Sequence, residues 1–242
     1  MSKIKMAIDI NCDLGEGMPN DSLLMPFLGS CNIACGGHYG DASSIKRSLR
    51  LAMKHHVKIG AHPSYPDVMN FGRVKMDLKD TELINSLTSQ LEVFKNACNS
   101  LGLHINHIKP HGALYNELAR DENLAILFLK LIQANFPDQL LYCPPKSIIS
   151  LLAPKFGVKV AFEIFADRSY EDDLSLVSRN HPLALLTNVD DVYEHVKSMI
   201  LYQSIKTISG KKVKIDADTL CIHGDNPNAL EILKMINSQF SA

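Results

Sequence analysis

The chain has 242 residues, 46% of them apolar, a formal net charge of −1 and six cysteines. That length suits one large α/β domain, since barrels of this class run to roughly 200–250 residues, and a chain of this size buries roughly 70–75% of its unfolded surface, so its core needs no staples. The near-zero charge argues against a nucleic-acid footprint or an anionic membrane surface, and no apolar run approaches the roughly 20 residues of a membrane span.

The N-terminal stretch "MSKIKMAIDI" has basic residues but neither an apolar h-region nor a small-residue cleavage site, so it does not read as a signal peptide. Short β-type runs then alternate with helical patterns. Strands are predicted at 7–11, 32–35, 58–61, 105–109, 140–143, 159–162, 183–186 and 220–222. Between them, apolar residues recur every three or four positions. Ala42, Ile45, Leu49, Ala52 and Met53 form one stripe, and Leu83, Leu87, Leu91, Phe94 and Leu101 a longer one. Leu124, Leu127, Phe128, Leu131 and Ile132 form a third, and Val192, Val196, Met199 and Ile200 a fourth. Asp41 and Asp80 sit where N-caps belong. Strands alternating with helices imply parallel pairing through βαβ units. Seven or eight such units fit a closed or nearly closed (β/α) barrel better than an open doubly wound sheet. No linker, low-complexity segment or fixed-period repeat divides the chain, so residues 1–242 read as one domain. Cys12, Cys31, Cys35, Cys98, Cys143 and Cys221 contain no CxxC pair and read as buried thiols of a cytoplasmic protein.

Polar residues fall at one kind of place. The first strand runs into Asn11, Asp13 and Glu16, the second into His38 and Asp41, and the third into His62. The fourth ends in Lys109 and His111, the sixth runs into Glu163, Asp167 and Arg168, and the last ends in His223 and Asp225. All are C-terminal strand ends, the edge where barrels and open α/β sheets carry their chemistry. A lone histidine there is usually solvated or satisfied, and loop carboxylates are usually caps. Histidines at four strand ends, with carboxylates beside them, are not independent caps. His55, His56, His104, His107, His181 and His195 lack that placement and read as structural or surface residues.

A carboxylate with two histidines suffices to hold a divalent metal, and the same set can perform metal-free acid–base work. Lys109 suits a substrate carboxylate or a developing oxyanion, and Arg168 a bidentate clamp on a carboxylate or phosphate. His223 and Asp225 suit an acid–base pair. Neither a GxxxxGK[ST] loop nor a GxGxxG after the first strand is present.

The stretches "IDINCDLGEG", "NIACGGHYGD", "IGAHPSYPDVMNFGR", "KPHGALYN", "EIFADRSYEDDLSLVSR" and "CIHGDNP" together resemble the LamB/YcsF family, in order and over nearly the whole chain. The resemblance implies a (β/α) barrel, often seven-stranded, of the glycoside hydrolase/deacetylase type. It implies cleavage of the lactam 5-oxo-L-proline to L-glutamate, coupled to ATP hydrolysis and carried out with subunits B and C; a homo-oligomer is also allowed. By analogy with deacetylases of that fold, Asp13, His62 and His111 are the metal candidates. Asp13, His62, Lys109, His111 and His223 are the expected catalytic residues, with Glu16, His38, Arg73, Asp167, Arg168 and Asp225 around the substrate. The chain departs from the family's usual pattern at Gly37, Ser64, Val74, Leu174 and Ser178, where Phe, Gly, Arg, Gly and Pro are common. Two other readings use the same residues: a stand-alone metal-dependent amidohydrolase or carbohydrate deacetylase, and a non-catalytic lactam-binding subunit.

Overall fold

The computed structural model describes residues 8–240. Ala7, the start of the first predicted strand, and most of the stretch compared with a signal peptide lie outside them.

Seven parallel strands close into a barrel: β1 (Asp9–Leu14), β2 (Ser30–Ala34), β3 (Lys58–His62), β4 (His107–Ile108), β5 (Leu140–Cys143), β6 (Val160–Phe165) and β9 (Thr219–His223), with β9 paired back onto β1. Around it lie α1 (Asp21–Leu24), α2 (Ala42–His55), α3 (Asp80–Ser100), α4 (Gly112–Leu118), α5 (Glu122–Asn135), α6 (Ile148–Leu152), α7 (Val189–Tyr202) and α8 (Ala229–Phe240). A small antiparallel hairpin, β7 (Ser204–Lys206) with β8 (Lys212–Lys214), stands apart from the barrel. Among the described residues, no helix is long and apolar enough to cross a membrane.

The strands alternate with period two, and each parity has its own surroundings. Ile10, Cys12 and Leu14 of β1, Cys31 and Ile33 of β2, and Leu220 and Ile222 of β9 join the core, with Leu49 of α2, Phe94 of α3 and Ile232 of α8. The other parity is polar and bonds across the barrel. Asn11 Nδ2 donates to Thr219 Oγ1 (2.7 Å), Asn32 Nδ2 to Asn11 Oδ1 (2.7 Å), and His107 Nε2 meets Asn32 Oδ1 (2.6 Å). Below them, Thr219 Oγ1 and Ser30 Oγ both donate to Asp9 Oδ2. Barrels of this class are usually filled by branched apolar side chains; here the axis is a hydrogen-bonded column, and buried polar groups persist because each finds a partner.

Gly60 makes room for this column. It lies between Asn32 and His107 in register, and a Cβ there would sit 2.1 Å from His107 Nε2. The imidazole cannot easily move, being stacked on Tyr142 with centroids 3.9 Å apart and rings 4° from parallel. Burial holds it neutral, with a pKa well below the usual value. Gly60→Ala is therefore expected to destabilise the fold by about 2–3 kcal/mol, an overpacking effect, read as a lower urea midpoint. An unchanged midpoint would show that the His107 ring moves aside freely.

Most predicted elements lie within a few residues of the observed ones. The helical stripes become α2, α3, α5 and α7, although Leu101 falls just past α3 and Met53 is exposed. Asp41 caps α2 through Ser43 N (2.9 Å) and Ser44 N (2.8 Å), whereas Asp80 is already helical and Lys79 holds the cap position of α3. The predicted strand at 183–186 does not form. Its backbone bonds run to the segment just after β6, with Ser169 N donating to Ala184 O and Leu186 N to Asp167 O. Only Ala184 of that apolar run is fully buried; Leu183 and Leu185 face solvent. Residues 166–187 thus form a strap beside the strand ends instead of an eighth stave. All six cysteines are buried and unpaired.

Candidate active site

Three short strand-to-loop turns bring the central residues together. Asp13 belongs to β1 itself, and Glu16 follows after Gly15, whose φ of +73° turns the chain. His62 ends β3, while Lys109 and His111 follow β4. Behind His111, Gly112 adopts φ +57°, and a Cβ on it would lie 2.5 Å from Gly72 O. That close approach lets Gly72 O accept from Ala113 N (2.9 Å), fastening the 63–79 loop to α4. The neighbouring Phe71, itself at φ +54°, turns its carbonyl toward His111 Nε2 (2.9 Å).

The two imidazoles are oriented by backbone carbonyls. His62 Nδ1 donates to Lys109 O (2.7 Å) and His111 Nε2 to Phe71 O. Their other nitrogens, His62 Nε2 and His111 Nδ1, face each other at 2.9 Å. With both rings neutral these are two opposed lone pairs, an arrangement that needs a positive centre: a shared proton or a metal ion. Asp13 Oδ2 lies 3.3 Å from His62 Nε2, and Glu16 Oε1 lies 3.4 Å from His111 Nδ1. The four groups offer ligand atoms all within 4.8 Å of one another, and all four residues are buried. Donation of the far ring nitrogen to a carbonyl is the usual outer support of a metal-ligating histidine. Burial, and then His38 and His62, hold the His111 pKa well below the usual imidazole value. His38 stacks on His111 (3.7 Å, 7°) and bonds Glu16 Oε1 through Nε2 (3.0 Å), so it orients the carboxylate; its Nδ1 is buried without a hydrogen bond.

Lys109, expected to meet a substrate anion, is surrounded by partners of the protein itself. Its Nζ donates to Asp13 Oδ1 (2.8 Å) and Cys221 Sγ (3.1 Å) and lies 2.9 Å from Glu163 Oε1 as an ion pair. Burial works against the ammonium, but Asp13, Cys221 and Glu163 outweigh it and hold its pKa well above the usual value. Burial likewise pushes Asp13 up, yet His62 and Lys109 keep it well below the usual carboxylate range. Asn32 Nδ2 adds a bond to Asp13 Oδ1 (2.7 Å), which joins the barrel column to the site. Apart from the Lys109 ion pair, neither oxygen of Glu163 finds a well-aligned donor, and the buried Tyr115 hydroxyl beside it completes no hydrogen bond of good geometry.

The opposite wall differs from expectation in two pairings. His223 Nδ1 bonds Asp167 Oδ1 (2.9 Å), not Asp225; Asp167 also accepts from His223 N (3.2 Å) and Asn226 Nδ2 (3.1 Å). Asp225 instead accepts from Arg73 Nη2 (2.5 Å) and lies 3.7 Å from Arg179 Nη1. Arg168, expected to clamp a substrate, donates from Nε to Ala184 O (3.2 Å) and from Nη2 to Val177 O (2.6 Å), so it staples the 166–187 strap. A cleft of about 1000 Å³ is lined by Asp13, His62, Lys109, His111, Glu163 and His223 on the barrel side and by Arg73, Arg168 and Arg179 on the rim. Glu16, His38, Asp167 and Asp225 stand behind that lining. Sequence reasoning leaves Arg179 and Tyr115 out of the site and does not select Glu163. Arg179 lies inside a quoted stretch but far from any strand end, and Tyr115 reads as a helix start.

Known proteins share this arrangement of chain and fold. A model of the LamB/YcsF family matches residues 8–242. Proteins from Thermococcus sibiricus and Pyrococcus horikoshii, each named as the A subunit of 5-oxoprolinase, are 43% and 39% identical, over 94% and 96% of this chain and 91% and 92% of theirs. The crystal structure of a lactam utilization protein from Thermus thermophilus superposes with a TM-score of 0.89 at 31% identity, covering 98% of this chain and all of that one.

Proposed function

Because the chain belongs to the LamB/YcsF family, we propose that it is the A subunit of an ATP-hydrolysing 5-oxoprolinase, and that its cleft opens the ring of 5-oxo-L-proline to give L-glutamate in a complex with subunits B and C. The observation that carries the chemical part is the facing of His62 Nε2 and His111 Nδ1 at 2.9 Å beside two carboxylates. A ligand set of two imidazole nitrogens and two carboxylate oxygens suits a divalent ion such as zinc. Asp13, Glu16, His62 and His111 would hold it. When bound, such an ion supplies Lewis acidity to a carbonyl oxygen and to water.

Ring opening adds the oxygen of water to the lactam carbonyl carbon, breaks the C–N bond and puts a proton on the departing nitrogen. A five-membered lactam is a stable amide, so ATP hydrolysis in the complex supplies the driving force. His223 is the residue for the proton. Asp167 takes its Nδ1–H, which leaves Nε2 on the cleft side to take a proton from the attacking water and pass it to the departing nitrogen. Lys109 sets its ammonium between Asp13 and Glu163 at the bottom of the cleft and, with His62, keeps Asp13 ionised. Glu163 and Tyr115 offer polar atoms without well-aligned partners, suited to the lactam N–H and carbonyl.

The test is metal removal from the assembled complex. Chelation is expected to lower ATP-dependent glutamate release on the order of 100-fold or more, with recovery on adding back a divalent ion. His62→Ala is expected to weaken metal binding by at least roughly 100-fold. Activity indifferent to chelator, in protein holding no divalent ion, would remove the metal. Lactam hydrolysis by the isolated chain without ATP would replace the complex with a stand-alone amidohydrolase.

A further inference from the structure

We infer that Arg73 and Arg179 form the receptor for the carboxylate of the substrate, so that the cleft selects lactams bearing a ring carboxylate over neutral ones. This rests on the lactam reading above and adds the feature that sets its specificity.

Among the described residues, the other cations lining the cleft are already engaged. Lys109 is surrounded by Asp13, Glu163 and Cys221. Lys75 and Arg120 both pair with Glu117. Lys146 donates to Lys214 O (3.0 Å). Arg168 is buried and directs two of its nitrogens to the carbonyls of Ala184 and Val177. Two guanidiniums are left, and they share one carboxylate. Asp225 Oδ2 accepts from Arg73 at 2.5 Å and lies 3.7 Å from Arg179, too far for a hydrogen bond. The other acid on this wall, Asp167, is engaged by His223 and Asn226.

Charge points the same way. Arg73, Arg168 and Arg179 carry three positive charges against the carboxylates of Asp225 and Asp167, and Asp167 is also bonded to His223. Burial, and then Arg73, lower the Arg179 pKa against the pull of Asp225, Asp167 and Asp13; burial, and then Arg179, lower that of Arg168. The side chains of Arg73 and Arg179 are 32% and 26% exposed, so a small solute can reach them. Arg73 is also held in place, its guanidinium lying 4.9 Å above the Phe71 ring. A guanidinium presents five N–H donors in a fixed fork that matches a planar oxyanion. Among the described residues Arg179 has only the 3.7 Å ion pair with Asp225 and no closer hydrogen bond to its fork. The shared chemistry is an oxyanion, and both a ring carboxylate and a phosphoryl group present one.

Isothermal titration of the full chain, alone and assembled with its partners, separates these. The probes are 5-oxo-L-proline, its neutral carboxamide and inorganic phosphate. Wild-type protein is expected to bind the acid roughly 10- to 100-fold more tightly than the carboxamide, the range of a charge-assisted hydrogen bond. Arg179→Ala is expected to remove most of that preference and leave carboxamide binding unchanged, with Arg179→Lys between them. Arg168→Met is expected to lower Tm without a selective effect on the acid. Equal affinity for acid and carboxamide in wild-type protein, or equal losses of both in Arg179→Ala, overturns the receptor while the lactam reading survives. Binding of neither lactam overturns both. Phosphate binding that Arg179→Ala abolishes, in protein indifferent to the ring carboxylate, overturns the carboxylate and gives the arginine pair to a phosphoryl group.

Discussion

Lys109→Met is expected to destabilise the protein by about 3–5 kcal/mol, the usual result of removing one partner from a buried ion pair. The substitution deletes one ammonium and leaves Asp13 and Glu163 facing each other across the bottom of the cleft, both nearly inaccessible to water. The signature is its pH dependence. In the parent protein Asp13 is held well below the usual carboxylate range, so its contribution is fully present above the unfolded carboxylate pKa and is lost as pH falls toward the folded one. In the variant, burial and mutual repulsion raise the folded pKa values of the two acids. The variant should therefore gain stability as pH falls from 7 toward 5, where Asp13 gives the parent none. Urea denaturation at several pH values measures both slopes. Equal midpoints and parallel slopes would show that Lys109 is not the counter-charge of this site.

Asp13→Asn is expected to have the opposite balance of effects: a smaller change in stability and a far larger one in activity. Glu163 stays beside Lys109, so the ammonium keeps a counter-ion, and the side chain keeps its shape beside Asn32. The change removes a negative ligand atom 3.3 Å from His62 Nε2 and the charge that holds His62 and Lys109 around it. ATP-dependent glutamate release by the reconstituted complex should fall by about 10²- to 10⁴-fold, the range for losing a positioned acid–base group, and divalent metal content should fall with it. Full activity in a variant of normal Tm would take Asp13 out of the chemistry.

Much of this arrangement is legible in the sequence because chemistry-bearing residues recur beside strands. Asp13, His62 and His111 stand out in separate motifs, and the fold brings their ligand atoms together, with Glu16 added. The boundaries are harder, for a physical reason. Apolar runs mark strands in a sequence, yet the barrel axis is polar, so Asp13 and Glu163 read as following their strands when they belong to them. The same property hides His107, which serves the interior column through Asn32, a partner 75 positions away. The run at 183–186 misleads in the other direction: apolar composition suggests a strand, but its backbone partners lie in the neighbouring strap. Pairings such as Arg73 with Asp225, 152 positions apart, carry no local signal at all.

The polar column also bears on how the chain finds its register. In a barrel filled with interchangeable aliphatic side chains, a strand displaced by one residue exchanges one greasy face for another. Here the same slip in β1 would drive Asp9, Asn11 and Asp13 into the helical shell and swing Ile10, Cys12 and Leu14 onto a hydrogen-bonded axis. In β1 and β2 a misregistered stave would strand charges or amides without partners, a heavy penalty during closure. The residues that equip the mouth of the barrel for chemistry thereby also proofread its assembly.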